Sequence, residues 1–214
     1  MFMSHIIPNY YDIVILPPKE VANASIELSQ RIAVCVPAKL VLGYRAFKPH
    51  ISLYHVAISK KNLPQVFKEL KNIVSNFSLG KLTVGQAEVG MGNSVVLPVI
   101  KTPALQQLHE LVLERINPLR DKSFPSTWKN PGWFEQKVYA DNIKNYGTPV
   151  AGNIYSPHIT VSMFGANVEL SKNVLKSKVY NFMPSKITVC ALGPHHSCHR
   201  VIRGVEFGKA ISEQ

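Results

Sequence analysis

Two short segments of the sequence combine a histidine with a hydroxyl residue two positions later. They are Lys-Pro-His-Ile-Ser-Leu at 48–53 and Ser-Pro-His-Ile-Thr-Val at 156–161. Side chains alternate between the two faces of a β-strand, so we expect His50 to face the same way as Ser52, and His158 the same way as Thr160. Proline at the start of a strand is well tolerated, which favours strands that begin at these histidines.

The two motif histidines are 158 − 50 = 108 residues apart, too far for one local motif. A repeat of this kind predicts two halves built alike, each of which presents one histidine and one hydroxyl to a shared cleft. The alternative is a chance repeat, because an isolated His-x-Thr is common.

Two histidines that face one cleft can divide acid and base work near neutral pH. One neutral ring would take a proton from water or from a ribose hydroxyl, and one protonated ring would give a proton to the leaving oxygen. Ser52 and Thr160 could donate hydrogen bonds to phosphate oxygens. Phosphoryl chemistry depends mainly on positioning and charge stabilisation, so we expect this site to need no metal and no cofactor.

The paired motifs resemble those of the 2H phosphoesterase superfamily, with its bacterial RNA 2′-5′ ligase-like and cyclic phosphodiesterase members. The resemblance covers roughly 10–119 and 154–207, and both tetrads, at 50–53 and 158–161, fit without departure. It implies a bilobal, pseudo-two-fold α+β fold with a positively charged cleft, and opening of 2′,3′-cyclic phosphates on RNA ends or nucleotides.

By the same resemblance, His50 and His158 are the general acid and base, in an order that the motifs do not assign. Ser52 and Thr160 are then the donors to the phosphate oxygens. Joining of RNA ends through 2′-5′ linkages would use the same groups. A non-catalytic RNA-binding module on the same frame is the alternative from another class, although both intact tetrads argue against it.

Other side chains are weaker candidates for the site. Tyr54 continues the motif face of its strand and Tyr155 precedes the second motif, so either ring could stack on a base or could simply pack. Strand alternation predicts that His55 lies on the opposite face, in a structural role, and His109 looks incidental. A further group could bind zinc, but its spacing favours a solvated hairpin loop: His195, His196, Cys198 and His199.

The surrounding pattern predicts an α+β domain with antiparallel sheets and helices packed outside. Predicted strands lie at 10–16, 50–58, 81–89, 94–101, 158–164, 185–192 and 200–207. Predicted helices lie at 18–36, 62–77, 103–116 and 168–178, with Asn62 and Thr102 as N-caps. We expect one bilobal domain over 1–214.

The segment 120–153 interrupts the alternation of predicted strands and helices and is predicted to be an insertion or a long loop. Its aromatic residues could stack on bases beside lysines, or could pin the loop to the body, which the sequence favours. They are Trp128, Trp133, Phe134, Tyr139 and Tyr146.

The net charge of +11 and the pI of about 9.6 favour a polyanionic partner such as RNA or a nucleotide. Three scattered cysteines indicate a reducing compartment rather than a disulfide framework. The sequence begins without signal-peptide character, and no apolar run reaches about 18 residues. We therefore expect a cytoplasmic protein, away from membranes, with no obligate protein partner, and a monomer.

Overall fold

The computed structural model describes residues 9–45, 47–123, 126–129 and 131–208. It has five α-helices in this part of the chain: α1 (Lys19–Cys35), α2 (Leu63–Ser75), α3 (Pro103–Ile116), α4 (Lys137–Tyr146) and α5 (Lys172–Leu175). Ten strands accompany them: β1 (Tyr10–Ile15), β2 (Leu40–Val41), β3 (Ile51–Ala57), β4 (Leu82–Val84), β5 (Glu88–Gly90), β6 (Ser94–Pro98), β7 (His158–Met163), β8 (Tyr180–Phe182), β9 (Lys186–Leu192) and β10 (Cys198–Glu206).

The strands form two four-stranded antiparallel sheets, in the orders β10-β9-β1-β3 and β2-β7-β6-β5, and a two-stranded sheet of β4 and β8. The first motif runs from His50, directly before β3, into that strand, and the second motif begins β7, so each of the larger sheets carries one motif. This architecture confirms the predicted α+β class with antiparallel sheets. The two-fold relation between the halves stays a prediction.

The helices follow from apolar spacing and from their first residues. Val21, Leu28 and Ile32 of α1 are buried along one stripe, as 3.6-residue periodicity requires. At the start of α3 the Thr102 hydroxyl accepts the Leu105 N–H at 3.1 Å, which confirms the predicted cap. Asn62 does not cap α2, because its side-chain amide instead donates to the Leu119 carbonyl at 3.0 Å.

Strand β3 contains a bulge inside the first motif. Val14 of β1 pairs with Ser52, whereas its neighbour Ile13 pairs with Tyr54, so Leu53 is an extra residue on β3. One extra residue reverses the alternation of side chains beyond it.

Strand β7 contains a bulge at the same position of the second motif. Val96 of β6 pairs with Thr160 and Val95 pairs with Ser162, so Val161 is the extra residue. In both motifs the extra residue is therefore the aliphatic one that follows the hydroxyl residue.

Several predicted elements differ from the structure. The strand expected at 81–89 is divided into β4 and β5, which belong to different sheets. The helix expected at 168–178 is reduced to the single turn of α5, and β2 and β8 were too short for the pattern to reveal. The segment 120–153 contains α4 and short 3-10 turns.

Strand β10 lies at the edge of the first sheet and pairs with β9 through two irregularities, at Cys198/Arg200 and at Val201/Arg203. Cys190 of β9 and Cys198 form a disulfide. The sequence indicates a reducing compartment rather than a disulfide framework, and this disulfide runs against that interpretation, since the β9–β10 hairpin brings together residues eight positions apart. Among the helices of the described residues, none is long and apolar enough to cross a membrane.

Candidate active site

The two motif histidines are held in the same way. His50 Nδ1 lies 2.6 Å from the Lys48 carbonyl oxygen, and His158 Nδ1 lies 2.8 Å from the Ser156 carbonyl oxygen. In each case the acceptor is two residues earlier, across a proline. A carbonyl can only accept, so Nδ1 carries the hydrogen and Nε2 is the nitrogen left for chemistry.

Burial lowers the pKa of both histidines below the ordinary value of 6.5. For His50 the Asp12 carboxylate and the bond to Lys48 oppose this effect, and the neighbouring His55 adds to it. For His158 only its bond to the Ser156 carbonyl opposes burial, and the positive charges of His50 and His55 lower the pKa further. The effect of His50 and His55 on His158 indicates that the two motifs lie close enough to interact electrostatically.

Asp12, on β1, is a fully buried carboxylate beside the first motif. The Ser52 hydroxyl donates to its Oδ2 at 2.8 Å, and His55 Nε2 lies 3.0 Å from the same oxygen. His50 Nε2 is 3.4 Å away from it. One carboxylate oxygen is therefore surrounded by a hydroxyl and two imidazoles.

The expectation that His55 lies on the opposite face from His50 is wrong. The extra residue Leu53 shifts the alternation, so His55 joins Ser52 on the motif face and pairs across the sheet with Asp12. A β-bulge depends on the neighbouring strand, and the sequence of β3 alone gave no sign of it. Asp12 was missed too, although a lone aspartate in an apolar strand is a signal that could have found it.

The two motif hydroxyls have different surroundings. Ser52 uses its only proton in the bond to Asp12, so it must exchange that partner before it can donate to a phosphate oxygen. The Thr160 hydroxyl makes no hydrogen bond within the described part of the chain and has only intermediate burial. Within the described residues, the Thr160 hydroxyl is thus the one of the two whose proton is still available to another group.

Tyr54 and Tyr155 are both buried, with 2% and 4% of their surface exposed. The Tyr54 hydroxyl donates to the Tyr146 carbonyl at 2.6 Å, and the Tyr155 hydroxyl donates to the Ser52 carbonyl at 3.0 Å. Burial raises the pKa of both phenols. Neither ring offers an open face to a base, which fits the packing alternative.

His109 of α3 is buried beneath the bulge and is not incidental. Its ring stacks on Tyr155 with centroids 3.9 Å apart, and its Nδ1 donates to the Leu53 carbonyl at 2.7 Å. Its Nε2 accepts the Gly152 N–H at 2.9 Å. Both ring nitrogens are used by the neutral form, and burial lowers the pKa of His109 to about 4.

Trp128 and His196 cover His55. Their rings stack with centroids 4.7 Å apart and lie 5.7 and 5.9 Å from the His55 ring. Trp128 is buried, so this aromatic residue of the 120–153 segment pins the segment to the body. Phe134 is 46% exposed.

The other candidate group, around 195–199, does not form a ligand set, since Cys198 is taken by the disulfide. In the ranges that the structure describes, no group of three or more His, Cys, Asp or Glu side chains could hold a metal ion.

Comparison with known proteins identifies the class. The sequence model of the 2′-5′ RNA ligase superfamily matches residues 17–193. The chain belongs to this superfamily, and the resemblance to 2H phosphoesterases is confirmed. Membership supports an enzyme of the 2H type, with a phosphoesterase or RNA ligase-like activity. No curated protein sequence matches the chain significantly.

Solved structures share the fold at low sequence identity. The protein TT0787 of Thermus thermophilus is 13% identical with a TM-score of 0.61, over 94% of this chain and 99% of that chain. E. coli LigT in complex with NADP⁺ is 13% identical with a TM-score of 0.55, over 94% and 99%. A protein described as a phosphoesterase is 12% identical with a TM-score of 0.52, over 95% and 100%.

Proposed function

We propose that the protein is a metal-independent phosphodiesterase that opens 2′,3′-cyclic phosphates on RNA ends or nucleotides. One observation carries the proposal: His50, directly before β3, and His158, at the start of β7, each keep the Nδ1 hydrogen on a backbone carbonyl, which leaves Nε2 to donate or accept a proton. Paired imidazoles near one another are suited to general acid-base catalysis without a metal.

In the proposed reaction, one histidine accepts a proton from water at Nε2 as the water oxygen forms a bond to phosphorus. The bond from phosphorus to one ribose oxygen breaks, and its electron pair stays on that oxygen. The other histidine gives that oxygen its Nε2 proton. The Thr160 hydroxyl donates to a non-bridging oxygen as negative charge grows there, and Ser52 can do so once it leaves Asp12.

The charge of the chain and the ligands of relatives with the same fold support this substrate class. The net charge of +11 favours a polyanion. E. coli LigT has been solved in complex with 3′-AMP, with NADP⁺ and with phosphate, which supports a nucleotide or RNA ligand for this chain. We further propose that the chain forms one bilobal domain that carries out this reaction. We expect it to be a monomer and to act in the cytoplasm.

The joining of RNA ends through 2′-5′ linkages is the second candidate, since the matching superfamily is named for 2′-5′ RNA ligases. The same two histidines would serve if a 5′-hydroxyl replaced water: one takes its proton as the 5′-oxygen bonds to phosphorus, the bond from phosphorus to the 3′-oxygen breaks, and the other protonates that oxygen, with a 2′-5′ linkage as product. A substrate that holds both ends together would favour this direction.

The first experiment is incubation of purified protein with 2′,3′-cyclic nucleotides and with a short RNA that ends in a cyclic phosphate, in excess EDTA. We expect phosphorus-31 NMR to show a single 2′- or 3′-monophosphate product. His50→Ala and His158→Ala should each lower the rate by at least about 10²-fold, because each removes one proton-transfer group. The matched control His195→Ala, an exposed histidine, should keep full activity.

Substantial turnover in either motif variant would contradict the two-histidine mechanism. Loss of activity in EDTA that zinc restores would contradict metal independence. Tight, salt-sensitive RNA binding with no turnover would instead favour the RNA-binding alternative.

A further inference from the structure

Asp12 is a buried carboxylate beside the first motif, and it belongs to neither motif. Its carboxylate is fully buried, and its Oδ1 has no hydrogen-bond partner among the described residues. Within that part of the chain, the only basic groups in ion-pair range of Asp12 are His50 and His55. A buried carboxylate without a compensating group costs on the order of several kcal/mol, and these two imidazoles are the basic groups placed to compensate it.

The second motif lacks this arrangement. His55 and Met163 are each five residues after their motif histidine, and each follows the shared bulge. The cross-strand partner of His55 is Asp12, whereas Ser94 is the partner of Met163 on β6. Ser94 uses its hydroxyl in a bond to the Met91 carbonyl. The two motifs thus match in their histidine and hydroxyl residues and differ in one Asp–His pair.

We propose that Asp12 is a positioning residue that keeps the proton on Nε2 of His50, and that His55 limits this effect by sharing the same carboxylate oxygen. His50 is then the general acid, which protonates the leaving ribose oxygen, and His158 is the general base. This inference rests on the proposed function for the acid and base roles. The shared oxygen itself is a feature of the structure.

The competition between His50 and His55 for Asp12 Oδ2 predicts the direction in which each substitution changes the proton affinity of His50. Asp12 Oδ2 lies 3.0 Å from His55 Nε2 and 3.4 Å from His50 Nε2, so either ring can neutralise it. Removing the carboxylate takes an attractive charge from His50. Removing the charge of His55 takes away a competitor and a neighbouring positive charge, so His50 holds its proton more strongly.

Other titratable groups face this cluster, and a change in the charge of any of them would also change the pKa of His50. They are His158 on β7, Tyr155 before that strand and His196 in the 194–196 turn. Burial lowers the pKa of His196 to about 3, and burial raises that of Tyr155, so these two stay neutral through the range in which His50 titrates.

The test is an NMR titration of histidine-labelled protein, with the His50 signal assigned from a His50→Gln variant. We expect Asp12→Asn to lower the apparent pKa of His50 by about 1 unit or more, and His55→Gln to raise it. Glutamine keeps an N–H donor for the carboxylate but carries no charge. The basic limb of the kcat/KM profile should move in the same two directions. The exposed Asp141→Asn is the matched control and should move neither.

The inference is overturned if the pKa of His50 stays unchanged in Asp12→Asn and His55→Gln, or if it moves in the same direction in both. If Asp12→Asn does not fold, His55→Gln alone carries the test, since an unchanged or lowered pKa of His50 contradicts the proposal. The titration needs no substrate. Failure of the proposed function appears as absent turnover in the unmodified protein, and failure of this inference appears as absent shifts of the His50 pKa.

Discussion

Desolvation governs the protonation of both motif histidines. His50 is buried and His158 is partly buried, and for each the largest effect on its pKa is a decrease caused by burial. Catalysis by an acid-base pair requires one protonated and one neutral ring, so activity is greatest between the two macroscopic pKa values of the pair. A decrease in both values moves that interval to lower pH.

We therefore expect a bell-shaped pH profile of kcat/KM with its maximum at or below pH 6.5, the ordinary pKa of histidine. Steady-state rates with a 2′,3′-cyclic mononucleotide would measure it, with circular dichroism at each pH as a control for folding. A maximum above pH about 7.5 would contradict the burial argument.

At the scale of elements, α3 and the residues before β7 fix the bulge in β3. The carbonyl of Leu53 accepts from His109, and the carbonyl of Ser52 accepts from Tyr155. Strand β3 is at the sheet edge, where such carbonyls have no neighbouring strand to bind them. The stacked His109 and Tyr155 rings thus connect the two motifs through packing and hydrogen bonds.

The free energy of unfolding should depend on pH, because the folded protein keeps His109 neutral. Because its folded pKa is about 4 and its unfolded value 6.5, the unfolded chain binds more protons between these values. The free energy of unfolding should fall by about 3 kcal/mol as the pH falls through this window. Urea titrations of the unmodified protein and of His109→Gln would measure the difference.

In His109→Gln this part of the pH dependence should disappear. The exposed His195→Gln is the matched control and should change the pH dependence less. An unchanged pH dependence in His109→Gln would show that the ring does not depend on its neutral form.

The sequence was sufficient for the motif residues and for most longer elements, since α1, α3, β3 and β7 have clear periodicity or caps. It was insufficient where partner strands decide the outcome. The bulge at Leu53 depends on pairing with β1, and the Cys190–Cys198 disulfide depends on the register of β9 with β10. Asp12 and His55 became neighbours only through that pairing.

At the scale of the whole molecule, positive charge should dominate the attraction of RNA. The chain has 24 Lys and Arg residues against 13 Asp and Glu residues. Neutralising phosphates releases counterions, so affinity falls linearly with the logarithm of the salt concentration.

We expect the affinity for single-stranded RNA to decrease with salt, and Lys48→Gln to reduce the slope by about 0.7 through loss of one phosphate contact. Lys48 is adjacent to the first motif, whereas the exposed Lys71 on α2 provides the matched control, Lys71→Gln, which should keep the slope. Fluorescence anisotropy at several salt concentrations would measure both. A slope near zero in the unmodified protein would contradict electrostatic binding.

The irregular pairing of β10 has a consequence for behaviour at high concentration. This nine-residue strand forms one border of its sheet, where an exposed backbone could recruit a strand from another molecule and begin aggregation. Its two register breaks distort that border, and the exposed Arg200 and Arg203 add charge along it. The register breaks and the arginine charges both oppose pairing with a strand of another molecule. They therefore protect the chain from polymerising through its long edge strand β10.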